Sequence, residues 1–158
     1  MEFIYLFTLV HDIGACLLLG GGAAIALFMA LAQRTKHAGI IAVCARFAVT
    51  ANLILVAAAV VVQPLSGLAL AFAIGLSPAQ EPWIGLSVPF YVVAVGCWLP
   101  TIFIEMRIRD IAQEAALKGA PLPARYYRLA RIWFWLGWPA LFAVLGIFVL
   151  MIWQPHPF

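Results

Sequence analysis

His11 and Asp12 stand side by side near the start of an apolar stretch that runs from Phe3 to Ala32. An ionisable residue inside a membrane span is expensive to keep and marks a functional site by default. A neutral imidazole there can ligate a haem iron or another metal, relay a proton, or contact a quinone. It can also simply hydrogen-bond Gln63, Tyr91 or a backbone carbonyl and lend the fold specificity, and for His11 all of these readings stay open. Helical neighbours point about 100° apart, so one of the pair faces the bundle and the other a helix seam or the headgroups. At about 1.5 Å of rise per residue, His11 lies roughly 12 Å below the outer face, Gln63 about 15 Å and Tyr91 about 10 Å. Three helices thus bring a polar side chain into one layer. This predicts His11, Gln63 and Tyr91 as cofactor contacts and His11 as the haem or metal ligand. Ser66 and Thr8, each one turn nearer the surface than Gln63 and His11, extend the layer.

Other reactive residue types are sparse. Cys16, Cys44 and Cys97 have no CxxC spacing and read as small apolar packing residues. His37 falls in a connection, and His156 in a tail that would have to fold inward to share a ligand with His11. No nucleophile stands with a base, no carboxylates are paired and no phosphate-binding loop occurs.

The elements that must position these residues are set by composition. With 66% hydrophobic and 9% charged residues, the chain is an integral membrane protein rather than a soluble domain. Runs of the roughly 20 apolar residues that cross a bilayer occur from Phe3 to Ala32, Phe47 to Leu76, Trp83 to Ile104 and Ile132 to Trp153. They are continuous rather than alternating, which excludes an outer-membrane barrel. The first run has no basic n-region and is too long for a signal-peptide core, so it reads as a retained helix. The expected fold is all-α: an antiparallel, up-down four-helix bundle in one domain, 1–158, with helices over 3–32, 47–76, 83–118 and 125–153.

All nine Lys and Arg residues lie around the first and third connections: Arg34, Lys36 and Arg46, then Arg107, Arg109, Lys118, Arg125, Arg128 and Arg131. By the positive-inside rule these connections face the cytoplasm and both termini lie outside it. The +3 net charge follows from that asymmetry and does not indicate nucleic acid. Ser77-Pro78-Ala79-Gln80-Glu81-Pro82-Trp83 reads as a short outer turn, with Trp83 at the interface. Glu105 with Arg109 and Glu114 with Lys118 are acid-before-base pairs at i,i+4 that support a cytoplasmic extension of helix three, and Gly119 and Pro121 should end it.

Arg125, Arg128 and Arg131, interleaved with Tyr126 and Tyr127, read as an anchor facing anionic headgroups, with a specific lipid or partner site as the sharper alternative. Pro64, Pro89, Pro100 and Pro139 should kink their helices. Gly14 and Gly20-Gly21-Gly22 should let another backbone approach closely; the other reading is a glycine-walled slot for a tetrapyrrole or quinone.

The segments Gln63-Pro64-Leu65-Ser66-Gly67-Leu68, Cys97-Trp98-Leu99-Pro100, Arg107-Ile108-Arg109-Asp110 and Arg131-Ile132-Trp133-Phe134-Trp135-Leu136-Gly137-Trp138-Pro139-Ala140 resemble a bacterial family of integral membrane proteins, domain of unknown function 2269. More distantly, Leu9-Val10-His11-Asp12-Ile13-Gly14 and the end Trp153-Gln154-Pro155 with Phe158 are similar to the four-helix superfamily of CopD copper-resistance proteins and HemJ-type protoporphyrinogen oxidases. There the first-helix histidine is implicated in haem binding, which the resemblance carries to His11 alone. The chain departs from HemJ-type proteins near Gly85-Leu86-Ser87-Val88, where their His-Ala-Lys-like motif is missing. It departs from a Cu(I) carrier in that Met1, Met29, Met106 and Met151 are scattered over different depths.

The expected function is a small bacterial inner-membrane protein, redox-associated, with a b-type haem or a quinone near His11. The alternative is a non-enzymatic membrane subunit, paired with a partner protein or a second copy. A third reading is small-solute or metal transport, with Asp12, Asn52 and Gln63 lining a polar path.

Overall fold

The structure is a computed structural model that describes residues 2–77 and 81–155; His156 and Pro78 lie outside the described residues. Apolar segments of this length can satisfy their backbone groups only as helices or closed barrels, and here they are helices. α1 (Glu2–Arg34), α2 (Ala38–Ala73), α3 (Pro82–Leu117) and α4 (Ala124–Trp153) are each long and apolar enough to cross a membrane. No strand occurs among the described residues.

Two of the helices are not uniformly α. α1 passes through a π segment at Leu17–Gly21 and α2 through another at Asn52–Val56, and the two segments touch. Each lets the helix accommodate an extra residue without losing its direction. The glycine run falls at this point, yet a Cβ at Gly20 or Gly22 would meet nothing within 4 Å and one at Gly21 only Val56, at 3.7 Å. Only Gly21 thus turns its Cβ position toward a neighbouring helix, and those of Gly20 and Gly22 face open space.

α2 begins at Ala38 rather than at residue 47. His37 caps it from an extended conformation (φ −94°, ψ 112°), its ring accepting from the Ile40 N–H at 3.4 Å. Arg46 interrupts the apolar run but not the helix, because backbone hydrogen bonding is indifferent to an exposed charge. The helix ends at Ala73 instead of residue 76, where Gly75 takes φ 80°. α3 opens with Pro82 in its first turn, where the missing N–H costs no helical bond. It runs unbroken through Pro89 and Pro100, and Gly119 (φ 58°) ends it as expected. Trp83 does not face the interface: it is buried, and its indole N–H donates to Glu81 at 3.1 Å.

The helices pack antiparallel. α3 lies along α4 and α1 along α2, while α2 meets α3 mainly through its first half. At the basic end, which carries the connections at 35–37 and 118–123, all four helices close on one core. Met29 and Ala32 enter it from α1, Ile41, Ala45 and Ala48 from α2, Ile108 and Ala112 from α3, and Tyr126, Ala130 and Trp133 from α4. The opposite half, which contains His11, is held as two helix pairs.

Candidate functional site

His11 projects from α1 toward α2, and small residues on α2 make room for it. Its Nδ1 lies 3.1 Å from the Ser66 hydroxyl, and its ring lies over Gly67, where a Cβ would come within 2.9 Å of the ring carbon Cε1. Ser66 sits one residue before Gly67, so the same helical turn supplies both the polar contact and the gap. The Ser66 hydroxyl has one proton, and two carbonyls compete for it: that of Val62 at 2.8 Å and that of Gln63 at 3.2 Å. With the proton on a carbonyl, the hydroxyl oxygen accepts from His11 Nδ1–H. That tautomer leaves Nε2 with its lone pair.

Gln63 is the second link between α1 and α2. With its amide oriented to satisfy both groups around it, it donates to the His11 carbonyl at 2.8 Å and accepts from the Ala15 N–H at 3.3 Å. Gly14 provides the space, since a Cβ there would come within 2.5 Å of the amide. Leu6, Phe7, Val10, Val62, Leu65 and Ser66 line a shallow groove of about 290 Å³ beside these contacts.

The predicted layer therefore assembles only in part. His11, Gln63 and Ser66 come together, whereas the Tyr91 hydroxyl donates to the Val60 carbonyl and Gln63 is engaged by backbone. The Tyr91 hydroxyl proton and the Gln63 amide are used to tie helices together. The residues present thus fit one ligand of a haem or a single contact to a quinone, the Nε2 of His11, and no more. Thr8 back-bonds to the Ile4 carbonyl at 2.9 Å. Asp12 is exposed and forms no hydrogen bond or ion pair with another described residue; the 100° offset turns it to a different face from His11, although its charge still acts on the His11 ring. Among the described residues, no three of His, Cys, Asp and Glu gather to hold a metal ion.

A second polar centre lies toward the basic end. Glu105 is 1% exposed, and its two carboxyl oxygens accept from Asn52 Nδ2 at 2.6 Å and Trp133 Nε1 at 2.8 Å. Trp98 Nε1 in turn donates to Asn52 Oδ1 at 3.2 Å. Glu105 was expected to pair with Arg109 on a solvated extension. Arg109 instead pairs with Asp110 at 2.8 Å, because the face of α3 that carries Glu105 turns into the bundle. The Glu114–Lys118 pair does form, at 2.6 Å and exposed. Asn52 belongs to this centre, so the path expected from Asp12, Asn52 and Gln63 is not continuous. The missed signal was the spacing of Trp98, Thr101 and Glu105, which at i, i+3 and i+7 share one helix face.

Arg125, Arg128 and Arg131 are exposed, and between them Tyr126 turns into the core while Tyr127 stays out. Cys16, Cys44 and Cys97 are free thiols.

A family model described as predicted integral membrane protein (DUF2269) matches residues 5–155. No curated protein and no solved structure matches the chain.

Proposed function

Because the chain belongs to the DUF2269 family of predicted integral membrane proteins, we propose that it works within the bilayer as a redox-associated protein whose active group is the His11 imidazole. The observation that carries this reading is the 3.1 Å contact between His11 Nδ1 and a Ser66 hydroxyl that has the Val62 and Gln63 carbonyls within reach of its own proton, so that the hydroxyl oxygen would accept from Nδ1–H. A histidine that ligates a metal almost always donates its other ring N–H in this way, which holds the ring and raises the basicity of the free nitrogen. His11 would be the ligand, Ser66 the group that holds its tautomer, and Gly67 and Gln63 the parts that hold its position. A b-type haem, or a quinone contacted through the same nitrogen, would supply the electron chemistry. The purified protein should show a Soret band that shifts with dithionite, is lost in His11→Ala and is perturbed in Ser66→Ala. A band that survives His11→Ala, or no band together with no quinone on solvent extraction, sinks the reading.

The distribution of Lys and Arg supports a place in the bacterial inner membrane with the basic end in the cytoplasm and both termini outside. A second reading, a membrane subunit or assembly partner without a cofactor, is favoured by Asp12, a charge exposed on a spanning helix with no hydrogen-bond or ion-pair partner among the described residues. The exposed Arg125, Arg128 and Arg131 would then meet anionic headgroups or the partner. Native mass spectrometry tests both parts. Asp12→Asn should reduce any dimer or complex, and replacing the three arginines by Ala should strip bound anionic lipid; a lipid-free monomer for the unaltered chain rules the reading out.

A further inference from the structure

The Glu105 carboxyl accepts one hydrogen bond at each oxygen from a neutral donor, and among the described residues it has no ion-pair partner. Asn52 of α2 serves one oxygen and Trp133 of α4 the other. The Asn52 amide is held with its nitrogen toward Glu105 because Trp98 donates to its oxygen. No Lys, Arg or His among the described residues forms an ion pair with Glu105, and no Asp or Glu shares its hydrogen bonds. Arg109, one turn along α3, is engaged by Asp110; Arg46 of α2, Arg107 of α3 and Arg131 of α4 are exposed, and α1 contributes apolar Met29 and Ala32 to the adjoining core. An anion left unbalanced in an apolar interior is costly. With Glu105 almost wholly covered, a proton is the cation that can reach it with the least rearrangement of the packing around it.

We propose that Glu105 is a proton-binding site of the bundle, with Asn52, Trp98 and Trp133 as the network that registers whether the proton is there. The inference is independent of the redox reading of His11. A proton from water at the basic end adds to the lone pair of the Glu105 oxygen that faces Asn52. An O–H bond forms, the negative charge is removed, and no electrons change hands. The new O–H requires an acceptor where an N–H donor now stands. Asn52 supplies one by turning its amide over, which brings Oδ1 to Glu105 and withdraws it from the Trp98 N–H. The gain of one proton therefore reverses the bond between Asn52 and Glu105 and breaks the one from Trp98 to Asn52, so α2 and α3 lose one of their two polar links here. Asn52 is also the first residue of the π segment, where the α-helical bonding pattern is already interrupted, and such segments recur at functional positions.

The test uses the full chain in lipid nanodiscs and infrared difference spectra across pH. The unaltered protein should show a protonated-carboxyl carbonyl band that grows as pH is lowered, is absent in Glu105→Gln and is retained in Glu114→Gln. Tryptophan emission should change over the same range, and that change should disappear in both Glu105→Gln and Trp98→Phe. Identical infrared difference spectra for the unaltered protein and Glu105→Gln overturn the proposal. If Glu105→Gln does not fold, a hydrophobic carbodiimide, which modifies protonated carboxyls, decides on the unaltered chain. An adduct mapped to Glu105 whose yield falls as pH rises supports it, and no adduct at Glu105 at any pH overturns it.

Discussion

The absence of a side chain at Gly67 decides where the His11 ring can lie. Adding a methyl there raises helix propensity by about 0.5–1 kcal/mol but forces the ring aside, and overpacking of this kind costs about 1–3 kcal/mol. Gly67→Ala should therefore be neutral to destabilising in the unaltered protein and stabilising in a His11→Ala background, with a coupling of about 1–3 kcal/mol between the two changes. Unfolding titrations in mixed micelles read this directly, and strictly additive effects would show that the ring does not rest on Gly67. Ser66 as the partner of His11 was within reach of the sequence, because it falls one turn from Gln63 on the same face of α2. Its preference over Gln63 depended on Gly14, which lets the longer amide pass the ring and reach the backbone beyond it.

Within an element, the π segment of α2 behaves as an inserted residue that can be removed. Deleting Ile54, exposed within Asn52–Val56, should restore regular α-helix and keep Asn52 facing α3 and Ser66 facing His11. Deleting Val61, outside the segment, turns everything beyond it by about 100° and carries Ser66 and Gly67 away from α1. We expect the Ile54 deletion to elute as a monodisperse folded species by size exclusion and the Val61 deletion to aggregate; equal behaviour of the two would show that the segment is not an insertion. The extent of α2 shows the limit of reading elements by hydropathy. A run of apolar residues stops at Arg46, but the helix continues because its bonds are made by the backbone.

Across the whole molecule, packing is uneven. Four helices converge at the basic end on Met29, Ile41, Ile108 and Tyr126, whereas the half that holds His11 is two helix pairs joined by a few polar links such as Tyr91 to Val60. The large apolar side chains left on the outside, Phe103 and Phe142 among them, have lipid as their solvent, and between spans it is packing and polar links rather than hydrophobic burial that select neighbours. The charges bear on orientation, and the one proposed above can be tested. Cysteines introduced as Lys36→Cys and Lys118→Cys should resist a membrane-impermeant maleimide, above the background of the native thiols, until the cells are permeabilised, and a cysteine replacing Glu2 should not. The reverse pattern would place the basic end outside.

Composition and the lengths of apolar runs were enough to dictate four spanning helices, because in a bilayer the backbone has few other ways to satisfy its hydrogen bonds. Helical spacing likewise fixed the angle between His11 and Asp12. Which polar groups meet across helices was not legible, because it depends on which face of each helix turns inward and on where a glycine leaves a gap. Only the tertiary structure could therefore send Tyr91 to a carbonyl, seat His11 between Ser66 and Gly67, and draw Glu105 from an apparent surface pair into the interior with Asn52, Trp98 and Trp133.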